Sequence, residues 1–450
     1  MTQSVHFERE IPVRHQVDVL VVGGGPAGVA AALGAARQGA SVFLAEAHSC
    51  LGGMGTAGLI PAFMTFGDGV NFLAGGIGRE VLDRLRQAGG TGPDDTGSPV
   101  PRGASIKVET LKRVYDDMIA QGGIGHALHT QMIAVQTNAQ RVDSVVFAAK
   151  SGLFAVKAGM CVDCTGDGDL CAWAGAPFEK GDQAGNMMPG TLCSIWANVD
   201  NVAFKQAGGD KLKEQALRKA IADGVFSIND LHVPGIWPIS PTLGGGNIGH
   251  TFGVDGTDER SLTEALSLGR KQMLEFERFY RDYVKTGFEK MELVITGSLL
   301  GIRETRRIMG DYVLNLADFK ARAVFDDEIG RYCYPVDIHA TTPDAEAHAR
   351  FEAEFFTNLR YANGESYGIP YRCLVPQKLS NVLVAGRCVS SDRYIQGSLR
   401  VMPGCYITGQ AAGVAAAMAA AEACDARKVE VAQLQQRLAA LGAHLPNFRQ

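Results

Sequence analysis

The chain has 450 residues, 46% hydrophobic and 20% charged, and a formal net charge of -5. That length divides into two or three domains and suffices to enclose a cofactor. The mild acidity gives no electrostatic footprint for nucleic acid, and the 55 glycines follow no period, which excludes a collagen-like chain.

The first sixteen residues are polar and carry no apolar h-region, so a cytoplasmic location is expected. Asp18–Val22 is a short apolar run followed at once by glycines. Ala27–Gln38 is rich in helix formers, Gly39 is a helix stop, and Ser41–Ala45 is a second apolar run. Together they predict strand, tight turn, helix and strand, a βαβ unit. Leu51–Gly78 is dense in glycine without a clean period and reads as a ligand-touching loop; Gly89–Arg102 reads as a surface loop. A helix is expected from Ser105 to Ala120, and strands over Val142–Ala148 and Phe154–Cys164, the last ending in the turn Thr165-Gly166-Asp167. From about Pro177 to Pro370 charged helices such as Ser261–Val284 alternate with irregular loops, as in a substrate-presenting domain. Asn381–Ala385 is a further buried strand. Ile407–Ala421 contains Gln410 and Gly413 and is too short for a bilayer, so it reads as a buried helix and no membrane partner is expected. The ten cysteines read as free thiols; Cys161 and Cys164 have no second close pair, so no metal is expected.

The motif Gly23-x-Gly25-x-x-Gly28 lies between the first strand and helix. Gly23 permits the turn, Gly25 lets the backbone approach a pyrophosphate, and Gly28 lets helix and strand pack closely. The helix N-terminus offers amides and partial positive charge to phosphate. Glu46 follows eighteen residues after Gly28 and can accept hydrogen bonds from ribose hydroxyls; its charge repels a 2′-phosphate. The motif therefore predicts a dinucleotide, FAD or NAD, and argues against NADP.

Leu51-Gly52-Gly53-Met54 resembles the loop of two-dinucleotide-binding-domain flavoproteins. Gly301-Ile302-Arg303-Glu304-Thr305-Arg306-Arg307 resembles the GxRETRR signature of a large FAD-dependent oxidoreductase family. So do Ile369-Pro370-Tyr371-Arg372, Leu383-Val384-Ala385-Gly386-Arg387-Cys388, Gly397-Ser398-Leu399-Arg400-Val401-Met402-Pro403 and Gly409-Gln410-Ala411-Ala412-Gly413. More distantly, the layout is similar to the flavoprotein subunits of fumarate reductases. The resemblance implies an α/β fold: a discontinuous, glutathione-reductase-like, Rossmann-like FAD-binding domain over 15–175 and 375–425, an inserted α+β substrate domain over 176–374, and a helical extension over 426–450. It implies FAD contacts from Gly23, Gly25, Pro26, Ala27, Gly28, Glu46, Gly52, Gly53 and Met54. Thr165, Gly166 and Asp167 would close over the adenosine side. Gly386, Arg387, Gly397, Ser398, Arg400 and Val401 would follow the ribityl chain and isoalloxazine. A helix from about Gly404 would aim its N-terminus at the pyrimidine edge, favouring the reduced anion. Relatives that tether FAD carry a histidine in the loop after the second strand. Met54–Gly58 has none, although His48 lies nearby, so a tether is not implied.

A flavin site needs positioning and a group that handles a proton. His250, in Gly244–His250, which reads as a flexible polar loop, is a candidate acid, base or substrate contact, or a structural residue; Asn247 is similar. Arg303 could clamp a carboxylate, sharing a face with Arg307 if the segment is helical, or could join an ion-pair network around Glu304. Arg372 is read like Arg303, as a clamp for a substrate carboxylate or polar group or as a structural residue; Asp392, beside Arg393 and Tyr394, is a candidate by proximity to expected flavin contacts. Trp196 and Trp237 read as packing residues. The catalytic set expected is His250, Arg303, Arg372 and Asp392. The expected activity is hydride transfer between a small polar substrate and flavin N5, with no nucleic-acid partner and self-association left open. The rival readings are a tRNA-modifying or thiazole-forming flavoprotein, or a scaffold stabilised by FAD. The first asks for a basic surface, and the second would lack the RETRR and IPYR segments.

Overall fold

Val19, Leu20 and Val21 are fully buried and Val22 nearly so, as a continuous apolar run in a central parallel strand requires. In the computed structural model, which describes residues 4–232, 235–351, 353 and 359–448, they end strand β1, Val13–Val22. Helix α1, Pro26–Ala36, follows, then β2, Val42–Ala45. The sheet continues with β3, Gly125–Ala127, β4, Gln131–Asn138, β5, Arg141–Ala149, and β6, Gly152–Asp163. Its order is β3-β2-β1-β6-β5-β4; β1 pairs in parallel with both β2 and β6, whereas β4 and β5 run antiparallel.

The free edge of β6 is divided. Its first residues, Gly152–Val156, pair with β5, and its last, Cys161–Asp163, pair in parallel with a strand formed much later, Val382–Val384. Asn381 fills the junction. Its buried amide accepts from Val142 N at 2.8 Å and donates to Val142 O at 2.9 Å, so a side chain completes the ladder where one partner gives way to the other. The result is a mixed α/β fold with a Rossmann-like parallel core.

A second long helix, α2, Met402–Ala421, lies against α1. Both are apolar on all sides, as helices buried all round must be. Glycine sets how closely they approach. A Cβ on Gly409 would sit 2.2 Å from Ala27 O, and one on Gly413 2.0 Å from Ala31 O. The buried amide of Gln410 is explained by its acceptor role to Ile77 N at 2.8 Å, at the start of the helix Ile77–Gln87.

Between these parts of the chain lies a four-stranded antiparallel sheet of β7, Ser194–Ala197, β8, Gly235–Pro238, β9, Leu243–Asn247, and β10, Glu292–Thr296, in the order β8-β9-β7-β10. This corrects the sequence reading of Gly244–Asn247 as a flexible loop. The glycines are there for contact: a Cβ on Gly245 would meet Pro61 at 2.4 Å, and one on Gly246 would meet Ser194 Oγ at 2.7 Å. Trp196 is fully buried and donates to Ser194 Oγ, in keeping with a packing role. The Arg303–Arg307 segment is not helical: Arg306–Ile308 is a short strand paired with Phe178–Lys180. Near the C-terminus, Leu434 and Leu438 bury one face of the helix Val431–Ala440. No helix among the described residues is long and apolar enough to cross a membrane.

Candidate active site

Gly23 turns the chain out of β1 with φ +96°; a Cβ there would strike Cys164 O at 2.4 Å, so only glycine fits. A Cβ on Gly28 would lie 1.8 Å from Gly23 O, which draws α1 onto the turn. Gly25 differs: nothing stands within 4 Å of a Cβ built on it. It is also the N-cap of α1, with no side-chain cap and Pro26 at the first helical position, so the first-turn amides face an open cradle. That is the shape and polarity a pyrophosphate requires. Glu46, buried at the end of β2, accepts from Gly24 N at 2.6 Å and His48 N at 2.8 Å, which fixes its carboxylate beside the cradle. The turn at Gly52 and Gly53, both at positive φ, docks on the loop through Gly52 N to Gly24 O at 2.8 Å. Met54 follows, half-buried. Gly386, after the late strand, meets Ala27: a Cβ on it would come within 2.9 Å of the alanine methyl. Glycines more than 350 residues apart thus surround one cradle.

The Thr165–Asp167 turn is tied to the segment containing Arg303. Arg387 donates to Gly166 O and Ile302 O, both at 3.0 Å, and to Asp167 Oδ1 at 2.6 Å; Thr305 donates to the same carboxylate at 2.7 Å. Thr165 Oγ1 donates to Asp163 at 2.8 Å. Gly397 and Ser398 lie on a short buried helix, Arg393–Leu399, where Ser398 Oγ donates to Tyr334 O. Arg400 donates to Asp337 at 3.0 and 3.1 Å, and Val401 is the N-cap of α2. Arg400 Nε and Gln396 Oε1 are buried with no hydrogen-bond partner among the described residues, beside the N-terminus of a long helix with no side-chain cap. Orphaned polar atoms at such a point suit the polar edge of a ring. Cys161 and Cys164 are buried free thiols, pushed up by burial, Cys161 to about 12; Cys164 also backs Gly23.

Two of the four predicted catalytic residues come together with Arg400. His250 is 5% exposed, and its Nδ1 lies 2.7 Å from Asp230. Arg303 is buried, donates to Pro189 O at 2.7 Å and Thr191 Oγ1 at 2.9 Å, and has its pKa lowered to about 10 by burial and the charge of Arg400. Glu304 instead binds Arg307 at 2.8 Å and Arg393 at 3.1 Å, so the buried ion-pair network exists but leaves Arg303 out. Arg306 is held by Asp169 at 2.7 Å.

The other two go elsewhere. Arg372 pairs with Asp327 at 2.9 Å over the Tyr312 ring, with half its side chain in solvent. Asp392 caps Arg393–Leu399, accepting from Ile395 N and Leu316 N at 2.8 Å each. A surface ion pair and a saturated helix cap explain these residues without chemistry.

The structure adds residues that were not singled out from the sequence. His232 and His339 join His250, with ring centroids 4.8 Å (His232–His250), 5.0 Å (His232–His339) and 5.0 Å (His250–His339) apart. His339 Nε2 lies 3.4 Å from Asp337, the partner of Arg400. Burial lowers all three histidines, His232 to about 3, with Arg303 also disfavouring their protonation. Burial works to raise Asp337, yet His339, Arg400 and Arg303 hold it well below the usual carboxylate range. The available signal was a repeated triplet, Asp230-Leu231-His232 and Asp337-Ile338-His339. Two adjoining cavities, of about 320 and 250 Å³ including space open to solvent, share Asp230, His232 and His250; Phe276 lines the first and Thr342 the second.

A Rossmann-like sheet, a glycine cradle and a buried carboxylate at the end of β2 are the features of a dinucleotide-binding fold. A model of the FAD dependent oxidoreductase family matches residues 18–438; the chain belongs to this family, and FAD is its cofactor. No curated protein matches the chain. Among solved structures it is similar to a geranylgeranyl bacteriochlorophyll reductase-like protein from Thermoplasma acidophilum, at 14% identity over 95% of this chain and 83% of the other, with a TM-score of 0.48. A flavin-dependent brominase is 13% identical over 95% and 82%, with a TM-score of 0.46. A p-nitrophenol 4-monooxygenase from Pseudomonas putida is 10% identical over 66% and 71%, with a TM-score of 0.43.

Proposed function

We propose that this FAD-dependent oxidoreductase transfers a hydride between a small polar substrate and its flavin, and that the buried cluster around His250 and Arg303 receives the substrate. The observation that carries the reading is Arg400. Through Asp337 it joins the cluster, and through Val401 it leads into the N-terminus of α2, where the polar edge of the flavin is expected. FAD supplies the hydride acceptor or donor at N5. The protein's part is to bind, orient and move a proton. The Arg303 and Arg400 guanidiniums offer donors to an oxygen-bearing substrate. Asp230 accepts the Nδ1 proton of His250, which leaves Nε2 as an acceptor for a substrate hydroxyl. The expected FAD contacts retained here are the Gly23–Gly28 loop with Glu46, the Gly52–Met54 turn, Gly386, and Arg400 with Val401. Thr165–Asp167 and Arg387 brace that site, and Gly397 and Ser398 support it from behind.

An anaerobic panel of small organic acids, alcohols and amines, followed by flavin absorbance, tests the reading. One compound class should bleach the flavin. A protein whose dithionite-reduced and oxidised forms ignore every member, while FAD stays bound, would favour a non-redox role.

A further inference from the structure

We infer that His232, His250 and His339 form a binding site for a divalent first-row transition cation, with zinc as its type. The inference concerns the same cluster but goes beyond the hydride-transfer reading and does not depend on it.

The geometry is that of a ligand set. Among the described residues these three histidines each offer a ring nitrogen, all within 4.8 Å of one another. Nitrogens at about 2.0–2.1 Å from a tetrahedral cation stand about 3.4 Å apart, so modest rotation of the rings closes the set. The ring centres form a near-equilateral triangle, 4.8 to 5.0 Å on a side. The residues arrive from three separate segments, each fixed on its own. Asp230 accepts from His232 N at 2.9 Å, Gln272 Nε2 donates to His250 O at 2.9 Å, and Asp337 is held by Arg400.

Orientation comes from carboxylates. Asp230 binds His250 Nδ1 at 2.7 Å, which fixes the proton there and makes Nε2 the ligating nitrogen. Asp337 stands 3.4 Å from His339 Nε2, which selects Nδ1 for the same role. A carboxylate behind a ligating imidazole is the usual companion of a histidine metal site. Asp230 and Asp337 offset the guanidiniums of Arg303 and Arg400, so the cation enters a site of no net charge, with Arg303 opposing it and the two carboxylates drawing it. Three imidazole nitrogens without thiolate or further carboxylate suit zinc, iron, copper or nickel and not calcium or magnesium. With three protein ligands the fourth position faces the shared cavity, the arrangement of a catalytic rather than a structural zinc. In this site the Nε2 lone pair of His250 goes to the cation, and the cation meets the substrate oxygen.

The test uses the FAD-loaded full chain, stripped with a chelator, desalted and titrated with Co²⁺. About one Co²⁺ per chain should bind, with tetrahedral ligand-field absorption at wavelengths beyond the flavin band. His339→Asn should lose the site, and Asp230→Asn should weaken Co²⁺ binding about 10–100-fold. His6→Asn, far out in solvent, should match the wild type. Flavin content and melting of each variant report folding; if His339→Asn loses FAD, the Asp230→Asn affinity decides. Absence of Co²⁺ and Zn²⁺ uptake by the wild type, or equal uptake by the cluster variants, overturns the site. Flavin bleaching by a substrate in a protein that takes up no Co²⁺ or Zn²⁺ would overturn this inference and leave hydride transfer standing; stoichiometric metal uptake without bleaching by any compound would do the reverse.

Discussion

The nucleotide cradle and the histidine cluster are built by opposite means. The cradle is made of backbone: its essential residues are glycines whose value is the side chain they lack, and the contacts that shape it run from amides and carbonyls. The cluster is made of side chains, from distant segments, whose charges and tautomers are set by one another. A backbone site fails sterically when an atom is added; a side-chain site fails electrostatically when one is taken away.

Glu304→Ala should produce the largest loss. The fully buried carboxylate holds Arg307 and Arg393, and deleting it removes the ion pair of Arg393 and leaves Arg307 only the half-exposed Glu179 at 3.4 Å, at a cost of about 3–5 kcal/mol. Chemical denaturation measures it, and a loss below about 1 kcal/mol would mean the network is hydrated. On the backbone side, Gly413→Val places a methyl-bearing carbon against Ala31 O and should cost about 3 kcal/mol by the same assay. An unchanged midpoint would show that the helix pair can separate freely. His250→Asn should slow flavin reduction about 10²-fold while FAD remains bound, read by anaerobic stopped flow. Equal rates would remove the cluster from the chemistry. Gly25→Ala sharpens the contrast. Its φ of -66° and open surroundings accept a methyl group, so apoprotein stability should hold within about 0.5 kcal/mol. FAD affinity should fall about tenfold or more, roughly 1.4 kcal/mol, because the methyl takes the phosphate's place. Titration of apoprotein with FAD checks this, and unchanged affinity would move the pyrophosphate elsewhere. Arg372→Ala should cost under about 1 kcal/mol and leave flavin reduction unaltered, as an exposed ion pair predicts.

The same contrast explains what could be read from the chain. The βαβ unit was legible because its signals are local: an apolar run, glycines at fixed spacing, then Glu46. The late strand at Val382–Val384 was legible for the same reason, and so was the small-residue helix that α1 packs against. Gly244–Asn247 misled because glycine in a strand carries no period; its meaning lies in Pro61 and Ser194, far away in sequence. Arg303 and Arg307 would share a face only in a helix, but the segment is irregular and then extended, so the two arginines part company. Arg372 was chosen as a substrate clamp and Asp392 for nearness to expected flavin contacts. Neither signal distinguished a surface ion pair or a helix cap from a site. His232 and His339 stayed hidden because nothing local brings residues 232, 250 and 339 together. Tertiary packing does that.

The divided edge of β6 also bears on how the protein is made. A chain still on the ribosome has β6 long before it has residues 382–384. Until then the last three residues of β6, the ones nearest the cradle, present unmatched backbone donors and acceptors. The parallel sheet cannot be finished until more than four-fifths of the polypeptide has been synthesised, and α2, which seals α1, comes later still. Cofactor capture is therefore a late event in biogenesis, and chains truncated before Val382 should be aggregation-prone apoproteins and not weaker enzymes.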